Sequence, residues 1–251
     1  MRIAVAGKGG AGKTTLSATL ARLAAQAGRQ VVAIDADTNP NLAVALGIPP
    51  DHVDRTPVLP TTVVSRRLDG PGLNAPLDEV LAAYATIGPD GVRLVRMGMP
   101  VHAEEGCLCS AHAAASALLG DLGGDADRLT IMDLEASPEH LSRGTARHAD
   151  VLILVAEPYF RSLETVRRQA VLAAELPSTT VGIVANKLRR DGDAGAIEEF
   201  AAGLRLPLWG AVPWSDDVGD ADRAVLALID HAPQSPVVAS VRRLIETLGV
   251  G

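Results

Sequence analysis

Residues Gly7 to Thr15 read GKGGAGKTT. Gly7, Gly12, Lys13 and Thr14 fall at the fixed places of the phosphate-loop pattern G-x-x-x-x-G-K-[ST]. The flanks agree with that reading. Ile3 to Ala6 is a short apolar run that reads as a buried strand. Leu16, Leu20, Leu23 and Ala27 recur at helical spacing, and Gly28 closes that segment. A strand, a glycine loop and a helix start together make an anion site. Loop amides and the helix N-terminus point at phosphate oxygens, Lys13 supplies charge, and Thr14 supplies an oxygen to magnesium. Lys8, a second lysine placed before the glycines, has no role in that minimal pattern.

Strand and helix signals alternate along the rest of the chain. Strands are expected at Arg29 to Ile34, Val92 to Met97, Arg128 to Met132, Val151 to Ala156, Thr180 to Ala185 and Leu206 to Val212. Helices are expected after Ser110, from Ser162 to about Leu176, around Ile197 to Leu204 and from Val237 to Leu248. The implied fold class is α/β, a phosphate-loop NTPase with a mostly parallel sheet and helices on both faces. Residues 49–76 show no sustained period and read as a long surface excursion with a short strand around Val63. Asp35 and Asp37 follow the second strand, where parallel sheets place ligand contacts. They serve either that purpose or only turns and caps. Asn39 is a candidate cap for a short helix, Leu42 to Leu46. Asp133 ends an apolar strand, the expected place for a carboxylate that orders water around magnesium.

The 251 residues suit one domain, residues 1–251, with no linker or repeat dividing them. A domain of that size buries roughly 75 % of its unfolded surface. Aromatics are only 2% against 47% apolar residues, so the core must be mostly Ala, Val, Leu and Ile. The net charge is -7 with no long basic run. That weighs against nucleic acid and against an acidic membrane surface as partners. No secretory leader and no membrane-length apolar run is visible, so the expected location is cytoplasmic.

Cys107 and Cys109 flank Leu108. In extended chain their side chains share one side, so both sulfurs can face one ion. A closed tetrahedral thiolate site needs four ligands. The other two come from His102, Glu105 or His112, or from the same pair on a second copy of the chain. A redox-active pair and an inert structural pair are the competing readings.

Several stretches together resemble one family. GKGGAGKTT resembles the deviant phosphate loop of the ParA/MinD superclass, which also contains the nitrogenase iron protein. Within that superclass DADTNPNLAVALG at 35–47, EGCLC at 105–109, MDLEASPEHLSRGT at 132–145 and EPYFRSLET at 157–165 resemble the CooC-type nickel-insertion ATPases that mature carbon monoxide dehydrogenase. One departure is Ser137-Pro138, where the family pattern has glycine.

The resemblance implies roles residue by residue. Lys8 matches the lysine that reaches a partner subunit's nucleotide. Gly9, Gly10, Ala11, Gly12, Lys13, Thr14 and Thr15 match the ATP-phosphate loop, with Thr14 on magnesium. Asp37 matches the aspartate that orients the attacking water, and Asp133 matches a magnesium-associated aspartate. Asn186 matches an adenine-binding asparagine, and Pro213 closes over the base. Cys107 and Cys109 match a pair that bridges two subunits through one nickel or zinc ion. The implied protein is a homodimeric metallochaperone that couples slow ATP hydrolysis to nickel delivery into a client, carbon monoxide dehydrogenase. The alternatives are a MinD/ParA-like positioning ATPase, which needs a membrane tail or basic surface, and an iron–sulfur electron donor, which needs well-separated cysteines.

Overall fold

The computed structural model describes residues 1–53, 55–67, 70–97, 109–125, 127–136, 141, 144–176 and 178–250. Its strands are β1 (Arg2–Gly7), β2 (Gln30–Ala36), β3 (Val58–Leu59), β4 (Val64–Arg67), β5 (Gly70–Leu73), β6 (Ala85–Ile87), β7 (Arg93–Met97), β8 (Arg128–Leu134), β9 (Val151–Ala156), β10 (Thr180–Leu188) and β11 (Leu208–Pro213). The helices are α1 (Lys13–Gln26), α2 (Leu42–Leu46), α3 (Pro50–Val53), α4 (Leu77–Tyr84), α5 (Cys109–Asp121), α6 (Phe160–Ala173), α7 (Asp193–Gly203), α8 (Asp216–Arg223), α9 (Leu228–His231) and α10 (Pro236–Leu248).

The main sheet runs in the order β11-β10-β9-β1-β8-β2-β7-β3, with β6 also paired to β7. Pairing along that path is parallel, and β6 alone joins it antiparallel. The expected fold class is the observed one. Strand β1 shows why its sequence is apolar throughout. Ile3 and Val5 enter one core with α1, α2 and α10, while Ala4 and Ala6 enter the opposite core with α4, α5, α6 and α7. The buried apolar residues are aliphatic apart from Met97 and Met132, as the composition demands.

Three local readings change. Asn39 does not cap α2; the flanking residue is Asn41, whose side chain makes no cap bond. Asp35 does that work from inside the sheet, its Oδ2 accepting from the Leu42 N–H at 3.0 Å. Helix α5 begins at Cys109, so Ser110 lies within its first turn rather than ahead of it. The strand expected around Val63 is found as β4, but residues 49–76 are otherwise more than an excursion. They supply sheet strand β3, the separate β4–β5 hairpin and the buried residues Leu59, Val63 and Leu73.

This topology gathers the functional candidates. Parallel strands place their carboxyl ends on one edge. Asp35 pairs in register with Asp133, and Gly7 pairs with Val155. The segments after β1, β2, β8, β10 and β11 all open on that edge.

Candidate functional site

Two glycines are fixed by geometry. Gly7 has φ 151 and lies against β9, where an added Cβ would stand 2.6 Å from the Val155 carbonyl oxygen. Gly12 has φ 93, in the left-handed region, and a Cβ there would overlap the Asn186 amide nitrogen. Between them the loop turns on a bond from the Ala11 N–H to the Lys8 carbonyl at 3.0 Å. Helix α1 then starts at Lys13 with no side-chain cap at Gly12. Its first amides therefore face the cleft beside the buried Lys13, an arrangement that suits phosphate oxygens.

Asp133 lies beneath the loop and is almost wholly buried. Its Oδ2 accepts from the Thr14 hydroxyl at 2.6 Å, and its Oδ1 accepts from Ser17 at 3.3 Å. Burial pushes its pKa up to about 7; the Thr14 hydrogen bond opposes that rise, the Asp35 charge adds to it, and Lys13 opposes it. Burial also raises Asp35 to about 6, offset by the Leu42 and Asp37 backbone N–H groups. Two buried carboxylates, paired across β2 and β8, are thus short of positive charge. Both Asp35 oxygens already accept backbone N–H groups, so Asp133 with the Thr14 hydroxyl beside it is the pair suited to a hard divalent cation. Asp37 is half-buried at the cleft, its Oδ1 accepting from the Asn39 N–H at 2.8 Å.

A cleft of about 890 Å³ joins these parts. Gly9, Gly10, Gly12, Lys13, Thr14, Thr15, Asp37, Asn186 and Pro213 all line it. Ala11 is buried beneath. Lys8 is turned elsewhere. Its ammonium donates to the Gly9 carbonyl at 3.2 Å and stands 5.8 Å from the centroid of the Tyr159 ring. Cys107 and the Cys109 side chain lie outside the described residues. Among the described residues, no group of three or more His, Cys, Asp or Glu is arranged to hold a metal. No helix among them is long and apolar enough to cross a membrane.

Lys187, next to Asn186 at the end of β10, is a site residue that no motif marks. Lys187 adopts φ 60, at a register shift between Ala185 and Leu188. In a regular strand neighbouring side chains diverge; the bulge lets both reach the loop. Asn186 Nδ2 donates to the Ala11 carbonyl at 2.7 Å, and Lys187 Nζ donates to the Gly10 carbonyl. Lys187 is also 3.5 Å from Glu157, a buried carboxylate that accepts from the Tyr159 hydroxyl at 3.0 Å. The Asn-Lys pair after an apolar strand was the available signal, but nothing in it announces the left-handed bend.

A model of the CobQ/CobB/MinD/ParA nucleotide binding domain matches residues 3–240. The chain belongs to this family. Among its relatives is the carbon monoxide dehydrogenase accessory protein CooC of Rhodospirillum rubrum. The two are 34% identical over 99% of this chain and 98% of that one. An uncharacterised ATP-binding protein of Methanocaldococcus jannaschii is 33% identical over 87% of each chain. The MinD cell division protein of Aquifex aeolicus superposes with a TM-score of 0.74 at 18% identity, covering 100% of this chain and 97% of its own. At that identity the likeness speaks for the fold. The family and the CooC likeness expected from the motifs are both found.

Proposed function

We propose that this chain is a MinD/ParA-class ATPase that serves carbon monoxide dehydrogenase as a metal-delivering accessory protein. The observation that carries the reading is the 34% identity to CooC along essentially the whole of both chains. The cleft supports its nucleotide half. The loop amides and Lys13 hold the phosphates, and Asn186 faces the base with Pro213 closing over it. With Nδ2 committed to the Ala11 carbonyl, Asn186 presents its oxygen, an acceptor suited to an exocyclic amine. The reading treats residues 1–251 as one ATPase unit acting in the cytoplasm.

Thr14 and Asp133 are the residues that would hold magnesium, Asp133 through water. Bound magnesium supplies charge neutralisation of the phosphates. Asp37 orients the attacking water and accepts its hydrogen bond. Lys13 meets the charge that develops on the transferring phosphoryl group. Lys8, half-buried and hydrogen-bonded on its own subunit to the adjacent Gly9 carbonyl, reaches the nucleotide of a second copy. Nickel, or zinc in its place, is cargo bound by Cys107 and Cys109 of two copies. If nucleotide and metal both favour the closed pair, their coupling is reciprocal: ATP changes metal affinity by the factor that metal changes ATP affinity.

Metal titration tests this directly. Wild type should bind one nickel or zinc ion per two chains, and Cys107→Ala/Cys109→Ala should lose tight binding. Unchanged affinity, or one ion per chain, contradicts the bridging site. Lys8→Ala should keep nucleotide binding and lose ATP-dependent pairing; normal pairing would remove Lys8 from the role given to it.

A further inference from the structure

Tyr159 stands at the corner between β9 and α6, 40% exposed, in a chain with only two tyrosines. The corner is tied down by its own residues. Ser162 Oγ accepts from the Glu157 N–H at 2.9 Å, and the Ser162 and Leu163 N–H groups return to the Tyr159 carbonyl at 3.0 and 3.2 Å. The phenol hydroxyl donates to Glu157 Oε1 at 3.0 Å, and Glu157 Oε2 faces the Lys187 ammonium at 3.5 Å. Backbone and hydroxyl are both anchored, so the ring presents its face in a set place. Over that face stands the Lys8 ammonium, 5.8 Å from the centroid, within reach of a cation–π contact. Its hydrogen bond goes to the Gly9 carbonyl, one residue along, at 3.2 Å. Lys8 is absent from the lining of the nucleotide cleft.

A lysine that serves a second copy must first leave whatever holds it on its own chain. We propose that Tyr159 is a positioning residue that clasps Lys8: in the unpaired chain the ring holds the ammonium beside its own loop, and pairing has to draw it off. This inference rests on the reading of Lys8 as the group that reaches a partner's nucleotide, and it supplies the resting state of that group. The clasp works against pairing. A cation–π contact at an exposed site shifts an equilibrium by about 2- to 5-fold. A symmetric pair draws off two lysines, so the pairing constant is held down by roughly 5- to 30-fold. Phosphate oxygens across the interface offset that loss, because they give the ammonium charge-assisted hydrogen bonds that a ring face cannot. Without those phosphates nothing offsets it, so the clasp makes pairing depend more steeply on bound nucleotide.

The test uses the full chain and two readouts. The first is lysine-selective NMR of the nucleotide-free chain, whose lysines are Lys8, Lys13 and Lys187. The Lys8 ε-methylene signal, assigned by its loss in Lys8→Ala, should be displaced upfield by the ring. Tyr159→Leu should abolish that displacement and Tyr159→Phe should keep it. A wild-type Lys8 signal with no ring displacement overturns the clasp without recourse to any variant. The second readout is sedimentation with magnesium and a non-hydrolysable ATP analogue over a range of chain concentrations. Tyr159→Leu should pair roughly 5- to 30-fold more tightly than wild type, and Tyr159→Phe should pair as wild type does. If Tyr159→Leu pairs as wild type does, or more weakly, the clasp is overturned while the reading of Lys8 stands. If Lys8→Ala pairs normally in the same experiment, the reading of Lys8 falls and takes the clasp with it.

Discussion

Asp133→Asn should make the nucleotide-free chain more stable at alkaline pH and flatten its response to pH. The folded chain holds the Asp133 proton with a pKa of about 7, above the ordinary value of 3.8, chiefly because the group is buried. Below pH 4 both folded and unfolded chains carry that proton, and the group is neutral in its effect. As pH rises from about 4, the unfolded chain releases the proton and the folded chain retains it. Stability is then lost steadily until the folded group also ionises near pH 7. Between pH 5 and pH 7 that is about two units at ~1.36 kcal/mol each, roughly 3 kcal/mol in total. For a chain of this size the same loss lowers the melting temperature by on the order of 6–12 °C. Asparagine cannot ionise and still offers one oxygen to the Thr14 hydroxyl, so its hydrogen bond survives. It also removes the charge that faces Asp35 across β2 and β8. The assay is thermal unfolding at pH 5 and pH 8 with chelator present, wild type against variant. Comparing slopes cancels the titrating groups remote from Asp133. Equal slopes for the two proteins would show that Asp133 does not hold its proton in the folded chain.

Gly12→Ala should lower stability by roughly 1–3 kcal/mol and abolish tight MgADP binding, because φ 93 strains an alanine and its Cβ meets the Asn186 amide; wild-type unfolding and calorimetry would contradict this. Lys187→Met should weaken MgADP by about tenfold, since the Gly10 carbonyl loses a charged donor and Glu157 its cation. Adding Glu157→Gln should recover stability in the double variant, and a strictly additive loss would argue against the pairing. Arg22→Ala should cost about 2–3 kcal/mol in denaturant unfolding. The buried guanidinium joins Asp90, Asp230 and the Leu46 carbonyl, but the two carboxylates are 27% and 44% exposed, which keeps the loss below that of a fully buried pair.

The parts of the fold that were legible are those where one local pattern decides the outcome. β1, the glycine loop and α1 follow from a motif whose glycines have steric reasons. β8 and β9 follow from apolar runs that only a sheet covered on both faces can bury. Helices α8 and α9 were not legible: Asp216 to Arg223 has only Val218 and Ala221 to mark a face, and α9 is four residues long. The Ser215 cap of α8, accepting from the Asp217 N–H, was the one local sign. The cap of α2 was misread because sequence proximity favoured Asn39, whereas sheet register brings Asp35 to the Leu42 N–H. Lys187, Glu157 and Tyr159 meet only because β9 and β10 are neighbours and β10 bends at Lys187. No short-range pattern carries that information.

In the proposed role, nucleotide turnover at this cleft drives metal into a client enzyme. The most direct measurement is the activity of nickel-deficient carbon monoxide dehydrogenase after incubation with nickel, MgATP and this chain. Wild type should raise client activity above the level reached with nickel alone, and Lys13→Ala and Cys107→Ala/Cys109→Ala should not. Activation that is the same without ATP, or the same with either variant, would contradict that role.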